Sequence, residues 1–138
     1  MRIKHIFRNR NSIDRKIAND IKLIVMDVDG VLTDGKIIIG NDGTEFKSFN
    51  VKDGMGIRLL QKFGIEVALI SGGSGEVISK RASNLNIKHY FFGVDDKFKE
   101  LSRLQNKLKI SSNETAFLGD DINDLNVISQ VRIFATPF

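Results

Sequence analysis

The sequence predicts an α/β fold built on a doubly wound parallel sheet, with a small β-hairpin insertion. Short apolar runs alternate along the chain with segments whose apolar residues recur at helical spacing. The short connections between these segments are typical of strand–helix–strand units, which build parallel sheets. The chain has 138 residues, of which 41% are hydrophobic and 28% are charged. This composition predicts one globular domain with a substantial core.

A basic segment precedes the predicted core, which spans residues 21–138. Within residues 1–20 we expect an irregular arm up to residue 12 and a short helix over residues 12–20. The first core strand, residues 21–27, is an apolar run. Such a run suits a strand that is buried on both faces of a parallel sheet.

A β-hairpin is predicted over residues 36–49, between the first strand and the first core helix. Its arms, residues 36–39 and 45–49, flank the sequence Gly40-Asn41-Asp42-Gly43, which carries strong turn signals. The first arm is apolar and β-branched, so we expect this edge to find a partner.

The remaining elements alternate between helix and strand. Gly64 is a stop signal for the first core helix, and Asp95 or Asp96 can cap the third. The apolar stripe of that third helix consists of Phe98, Leu101, Leu104 and Leu108. In order, we predict a helix over residues 53–63, a strand over 66–70, a helix over 74–84, a strand over 90–92, a helix after 96, a strand over 115–118, a helix over 121–129 and a strand over 131–135.

Composition excludes several classes of protein. The chain has no cysteine, which excludes disulfides, thiol catalysis and thiolate metal sites, and we expect a cytoplasmic location. No apolar run reaches transmembrane length, and the basic N-terminus lacks the apolar region of a secretory signal. That basic segment has a single aromatic residue, Phe7, among its lysines and arginines, so nucleic acid is not an expected partner, and no membrane partner is expected. The net charge of +4 suits an anionic substrate.

Polar residues with chemical potential follow the predicted strands. In a parallel sheet the carboxyl ends of the strands share one edge, where ligands bind. The residues concerned are Asp27 and Asp29 after the first strand, Ser71 after the second, Lys97 after the third, and Asp120, Asp121 and Asp124 after the fourth.

Together these residues favour Mg²⁺-dependent phosphoryl transfer. Hard carboxylate oxygens suit Mg²⁺, which offsets carboxylate and phosphate charge together. A hydroxyl and an ammonium group can hold phosphoryl oxygens. One carboxylate can attack phosphorus, and a second can donate and accept a proton. Taken singly, Ser71 also fits a turn, Lys97 a surface lysine, and the acidic motif at 119–124 a helix N-terminus.

The chain resembles the haloacid dehalogenase superfamily. The four motifs of that superfamily appear here as Asp27-Val28-Asp29-Gly30, Ser71, Lys97 and Gly119-Asp120-Asp121-Ile122-Asn123-Asp124. More closely, residues 21–138 resemble the 3-deoxy-D-manno-octulosonate 8-phosphate phosphatases, through DVDGVLTDG, FNVKDGMGI and GDDINDLNVI. The resemblance implies a Rossmann-like fold of the haloacid dehalogenase type without a large cap. It also implies a phosphatase with an aspartyl-phosphate intermediate, active in lipopolysaccharide biosynthesis.

The same resemblance implies roles for individual residues. Asp27 would be the nucleophile and a Mg²⁺ ligand, and Asp29 the general acid and base, with its main-chain carbonyl on the metal. Asp120 would be the third ligand. Ser71 and Lys97 would hold the phosphoryl group, while Asp121 and Asp124 orient the metal shell and Lys97. The residues expected to bind substrate are Asp29, Asn50, Val51, Lys52, Asp53, Gly54, Arg58, Arg81 and Lys97. Family members are homotetramers whose hairpins pair, so each site is closed by a neighbouring subunit.

Two features depart from the family pattern. The family often has an arginine, expected to meet the substrate carboxylate, where this chain has Gly73. The family also continues past the fifth strand into a helix and a glycine-containing tail, whereas this sequence ends at Phe138. The first departure leaves the substrate open, and the second leaves open whether such a tail exists.

Three other interpretations share parts of this sequence pattern. The first is a phosphatase of another sugar acid, such as a nonulosonate 9-phosphate. The second is a phosphoacceptor domain of the response-regulator type, but there the lysine comes after the hydroxyl residue and near the last strand. The third is a non-catalytic relative, which would have lost Asp27 or Asp29.

Overall fold

Five parallel strands form the central sheet, and helices lie on both of its faces. The computed structural model describes residues 15–73 and 75–137. The predicted arm, the first residues of the predicted helix over 12–20, Ser74 and Phe138 lie outside these residues. The strands are β1 Leu23–Met26, β2 Ile38–Ile39, β3 Glu45–Phe46, β4 Glu66–Ile70, β5 His89–Phe91, β6 Thr115–Leu118 and β7 Ile133–Ala135. The α-helices are α1 Arg15–Asp20, α2 Val51–Lys62, α3 Glu76–Asn84 and α4 Lys97–Leu108, and 3₁₀ segments span Ser112–Glu114 and Ile122–Gln130.

The strand order β5-β4-β1-β6-β7 confirms the predicted doubly wound sheet. β1 is central and pairs in parallel with β4 on one side and β6 on the other. The chain therefore fills one half of the sheet, then crosses β1 and fills the other half. Such a reversal opens a crevice at the carboxyl ends of the strands, where ligands bind in open α/β sheets.

The core consists of two apolar layers, one on each face of the sheet. Along β4, Val67 and Leu69 belong to one layer, and Ala68 and Ile70 belong to the other. Successive side chains of a strand point to opposite faces, so an apolar run without alternation needs both faces covered. Helices α2 and α3 contribute to the first layer, and α4 with the segment Ile122–Gln130 contributes to the second.

Two strands, 66–70 and 115–118, begin and end in the structure at the predicted residues. The other three are observed within or one residue from their predicted ranges. Helix α2 begins at Val51 and not at the predicted residue 53, because the Asn50 side chain accepts a hydrogen bond from the backbone N–H of Lys52 at 2.8 Å. Of the two candidate caps for α4, Asp96 is the one observed, and it accepts from the N–H of Lys99 at 3.1 Å.

Two expectations about the helices were wrong. The helix predicted over residues 121–129 is a 3₁₀ segment, in which Asp124 and Val127, three residues apart, are both buried. Side chains three apart eclipse one another in a 3₁₀ helix, so this geometry buries both. Phe98 does not join the buried stripe of α4, since Lys97 takes the inward position and leaves Phe98 40% exposed.

The hairpin forms as predicted, with shorter paired arms. Ile38 pairs with Phe46, and Ile39 pairs with Glu45. The turn is closed by a hydrogen bond from the N–H of Gly40 to the carbonyl oxygen of Thr44 at 2.8 Å. Over residues 15–73 and 75–137, no helix is both long and apolar enough to cross a membrane.

Candidate active site

A cavity of about 550 Å³ lies at the carboxyl ends of the central strands. Its walls come from the loops that follow β1, β4, β5 and β6, as the topology requires. The lining side chains include five carboxylates, on Asp27, Asp29, Asp95, Asp120 and Asp121, together with Ser71 and the ammonium group of Lys97. The structure thus brings together most of the residues that the strand-end argument selected.

Asp27 occupies the centre of this group and is 6% exposed. Its backbone N–H still donates to the carbonyl oxygen of Leu118 at 2.8 Å, so the sheet fixes its position. Its side-chain Oδ1 accepts from the N–H of Val28 at 2.7 Å, and its Oδ2 lies 3.2 Å from Lys97 Nζ. Burial raises the pKa of Asp27, and the attraction of Lys97 offsets only part of that rise.

Asp124 fixes both Lys97 and the loop after β6. Its Oδ1 accepts from Lys97 Nζ at 2.5 Å. Its Oδ2 accepts from the backbone N–H groups of Asp120 at 3.0 Å and of Asp121 at 3.1 Å. Asp124 is fully buried, so these contacts satisfy a carboxylate that water cannot reach.

Gly30 gives Asp120 the room to approach Asp27. A Cβ atom on Gly30 would lie 1.8 Å from Asp120 Oδ2, and the φ angle of Gly30 is +80°. Both facts require glycine at this position. Burial raises the pKa of Asp120, and the neighbouring Asp124 carboxylate raises it further.

The carboxylates can accept a divalent cation. Asp27, Asp120 and Asp124 each offer an oxygen atom, and these atoms lie within 4.8 Å of one another. Both oxygens of Asp124 are already hydrogen-bonded, so Asp27 and Asp120 are the better ligands. The cavity holds five carboxylates against one ammonium group. A cation would lower the repulsion among them and let a phosphate group enter.

Ser71 presents its hydroxyl group to the same cavity. Its backbone N–H donates to the carbonyl oxygen of Phe91 at 2.9 Å, which continues the pairing of β4 with β5. Its Oγ accepts from the N–H of Gly73 at 3.1 Å. The side chain is thereby held at the end of β4, where its hydroxyl hydrogen and the neighbouring loop can meet an anionic group.

Lys47 is a site residue that the sequence argument missed. It follows β3 in the hairpin, and its Nζ lies 2.6 Å from Oδ1 and 2.8 Å from Oδ2 of Asp29. Burial alone would lower the pKa of Lys47, but its contacts with Asp29 and Glu45 outweigh burial and raise it. The two-residue spacing of Glu45 and Lys47 places both on one face of the hairpin, but it does not indicate a contact with Asp29.

Seven predicted substrate-binding residues do not line this cavity within the described chain. They are Asn50, Val51, Lys52, Asp53, Gly54, Arg58 and Arg81. The two arginines contact the backbone instead. Arg81 Nη2 donates to the carbonyl oxygen of Asn50 at 3.0 Å, and Arg58 Nη2 donates to that of Asn84 at 3.0 Å. The guanidinium group of Arg81 also lies 5.1 Å from the ring centroid of Phe49. A role of these seven residues toward substrate stays a prediction.

Proteins of similar sequence are found among enzymes of known activity. No protein-family model matches the chain. The 3-deoxy-D-manno-octulosonate 8-phosphate phosphatase of Escherichia coli K12 is 43% identical over 116 residues, which is 84% of this chain and 62% of that protein. The chain therefore spans somewhat less than two thirds of the length of the curated relatives it matches.

Solved structures of the same kind of enzyme superpose closely on this fold. The phosphatase from Moraxella catarrhalis, in complex with magnesium ion, phosphate ion and a KDO molecule, is 43% identical with a TM-score of 0.82, over 85% of this chain and 67% of that one. The cobalt-bound deoxy-D-mannose-octulosonate 8-phosphate phosphatase from Haemophilus influenzae is 34% identical with a TM-score of 0.83, over 87% of this chain and 70% of that one.

Proposed function

Because this chain belongs to the 3-deoxy-D-manno-octulosonate 8-phosphate phosphatase family of the haloacid dehalogenase superfamily, we propose that it is a Mg²⁺-dependent phosphomonoester hydrolase. The observation that carries this proposal is the placement of Asp27. A buried carboxylate stands at the end of the central strand, 3.2 Å from an ammonium group and beside a second carboxylate on Asp120. Asp29 and Ser71 line the same cavity.

The first step is the transfer of the phosphoryl group to Asp27. A carboxylate oxygen of Asp27 attacks phosphorus, and the bond from phosphorus to the ester oxygen breaks. The carboxyl group of Asp29 gives its proton to the departing oxygen. The Ser71 hydroxyl and Lys97 Nζ hold the equatorial oxygens of the phosphoryl group during the transfer.

The second step releases phosphate and restores the enzyme. Asp29, now ionised, takes a proton from a water molecule as the oxygen of that water attacks phosphorus. The bond between phosphorus and Asp27 breaks, and the Asp27 carboxylate is free again. The proton gained by Asp29 serves the next turnover, so the cycle balances.

Asp27, Asp120 and the main-chain carbonyl of Asp29 would hold the metal ion. The carboxylate of Asp120 lies against Gly30, the residue next to that carbonyl. When bound, Mg²⁺ supplies positive charge that offsets the carboxylates and the phosphoryl oxygens. Asp121 and Asp124 would orient this group, since the N–H groups at 120 and 121 are both held by Asp124.

The substrate that we propose is 3-deoxy-D-manno-octulosonate 8-phosphate. A screen of phosphate release with Mg²⁺ across sugar-acid phosphates tests this assignment, with a nonulosonate 9-phosphate as the main competitor. Gly73 makes the screen necessary, because the arginine that is frequent at this position in the family is missing. Faster phosphate release from the nonulosonate ester would contradict the proposed substrate but not the proposed phosphatase reaction.

The topology speaks against the response-regulator interpretation. Counted along the chain, the five parallel strands have the order third, second, first, fourth, fifth. Receiver domains of the CheY type have the order 2-1-3-4-5. This strand order favours hydrolysis over a signalling role, as does the shared cavity lined by Asp27, Asp29, Ser71, Lys97 and Asp120.

The variant Asp120→Ala should need far more Mg²⁺ than the wild type. Loss of one of two side-chain ligands should raise the half-saturating Mg²⁺ concentration by about 10–100-fold or more, the range found for weaker perturbations of metal sites. Phosphate release measured against Mg²⁺ concentration checks this. Asp34→Ala is the matched control, because Asp34 is exposed and pairs with Lys36. Full wild-type activity in excess chelator would contradict the metal assignment.

We also propose that the hairpin holds the protein in a homotetramer. Ile37, Ile38, Ile39 and Phe46 are 55–69% exposed, and an isolated two-stranded hairpin is only marginally stable in water. The exposed pair Ile38 and Phe46 lies on one face. A cytoplasmic location and the division into residues 1–20 and 21–138 stay predictions.

Ile38→Lys should convert the tetramer into smaller species. A charged side chain opposite Phe46 would oppose burial of this face. Light scattering at micromolar concentration measures the mass of wild type and variant. Phe63→Lys, at the 80% exposed apolar residue that caps the C-terminus of α2, is the control and should leave the mass unchanged. A wild-type protein that is only monomeric would contradict the assembly.

A further inference from the structure

Lys47 lies in the hairpin and contacts Asp29, a residue that lines the cavity. Its side chain is only 2% exposed, although four of the five apolar side chains of the hairpin are exposed. Both oxygens of the Asp29 carboxylate lie within 2.8 Å of its Nζ. Charge-assisted contacts of this kind are the strong ones, and two of them restrict the rotation of a carboxylate.

The position of Lys47 is itself held by a second acidic side chain. Glu45 Oε1 lies 3.3 Å from Lys47 Nζ. Because Glu45 and Lys47 are two residues apart in an extended arm, both side chains lie on the same face. The ammonium group is therefore held by a hairpin residue, Glu45, as well as by Asp29.

Gly73 provides the space that this pair occupies. A Cβ atom on Gly73 would lie 2.8 Å from Asp29 Oδ2, 3.4 Å from Ser71 Oγ and 3.6 Å from Lys47 Nζ. The Asp29 carboxylate thus lies beside the Ser71 hydroxyl, with Lys47 behind it. Asp29 and Ser71 therefore border the same part of the cavity.

We propose that Lys47 is a positioning residue that holds the Asp29 carboxyl group toward the leaving oxygen of the substrate. The inference rests on the proposed phosphatase function. A proton donor must come within about 2.6–3.2 Å of the atom that receives the proton. A displacement of roughly 1 Å can cost about 10²-fold in rate. Without Lys47, nothing else among the described side chains contacts both oxygens of Asp29.

A comparison of two aryl phosphates tests this role. Phenolate is a poorer leaving group than p-nitrophenolate and depends more on the proton from Asp29. Lys47→Met should lower kcat/KM, which reports the steps up to phosphorylation of Asp27, for phenyl phosphate by about 10-fold or more. It should lower kcat/KM for p-nitrophenyl phosphate by a clearly smaller factor. Lys47→Arg keeps the charge and should recover most of the loss.

The control is Lys36→Met, which removes the same charge from the same hairpin. Lys36 is 79% exposed, and within residues 15–73 and 75–137 it forms an ion pair only with Asp34. This variant should keep wild-type kinetics on both esters. Circular dichroism shows whether Lys47→Met is folded, and Lys47→Gln replaces it in the comparison if it is not.

A double variant separates positioning from a structural tether. If Lys47 acts through Asp29, then Asp29→Asn with Lys47→Met should be within about 2-fold of Asp29→Asn alone on phenyl phosphate. Losses that multiply, or equal losses on both esters in Lys47→Met, would overturn the inference and leave the phosphatase function standing. Wild-type protein that releases no phosphate from either ester with Mg²⁺ would overturn both.

Discussion

Asp27→Asn should abolish turnover. An amide oxygen does not attack phosphorus as a carboxylate does, so no aspartyl-phosphate can form. We expect a loss on the order of 10⁶-fold, the size seen when the covalent nucleophile is removed from a hydrolase. The substitution keeps the shape of the side chain. The hydrogen bond from the N–H of Val28 to Oδ1 can therefore persist, and the fold should be unchanged.

Single-turnover phosphate release measures this prediction without interference from product release. Asp34→Asn is the matched control, since it makes the same change at an exposed carboxylate of the same loop. The control should keep wild-type rates. Activity of Asp27→Asn within tenfold of wild type would remove Asp27 from the role of nucleophile.

The fold was predictable because its signals are local. The two strands 66–70 and 115–118 are apolar runs bounded by polar or glycine residues, and their observed bounds match. The wrong predictions concern segments whose conformation or buried face is determined by tertiary contacts. Lys97 lies inward on α4 because Asp27 and Asp124 form a polar site there, and a hydrophobic pattern cannot show that. The same holds for the 3₁₀ segment, whose inward residue Asp124 is polar.

The candidate site was predictable in its strand-end residues. Parallel strands bring Asp27, Ser71 and Asp120 to one edge whatever the details of packing. Lys47 was not predictable, because its contact with Asp29 spans 18 positions and depends on how the hairpin folds back. The spacing of residues within the hairpin does not specify how the hairpin packs against the loop that contains Asp29.

Asp29→Asn should slow the enzyme by an amount that depends on the leaving group. General acid catalysis is worth roughly 10²–10⁴-fold. A sugar alkoxide is a poor leaving group and needs the proton, whereas p-nitrophenolate scarcely does. We therefore expect the rate at which a sugar-acid phosphate phosphorylates Asp27 to decrease by a factor within that range. Phosphorylation by p-nitrophenyl phosphate should fall far less.

The second role of Asp29 gives the same variant a distinct kinetic signature. With p-nitrophenyl phosphate, Asp27 should still be phosphorylated, but no base remains to activate water against the aspartyl-phosphate. The variant should then release a burst of p-nitrophenolate equal to the enzyme concentration, and rapid-quench mass spectrometry should detect one added phosphoryl group. Ser48→Ala, at an exposed position one residue after Lys47, is a control that should show neither effect.

The outcome decides what the carboxylate of Asp29 does at the site. Asp27 and Asp29 are two residues apart, yet they have different cationic partners: Asp27 pairs with Lys97, and Asp29 pairs with Lys47. The two carboxylates are therefore held by two different ammonium groups. Equal losses on both substrates without a trapped intermediate would mean that Asp29 serves only the structure or the metal. A large loss on the sugar ester with a burst on the aryl ester requires proton transfer in both steps.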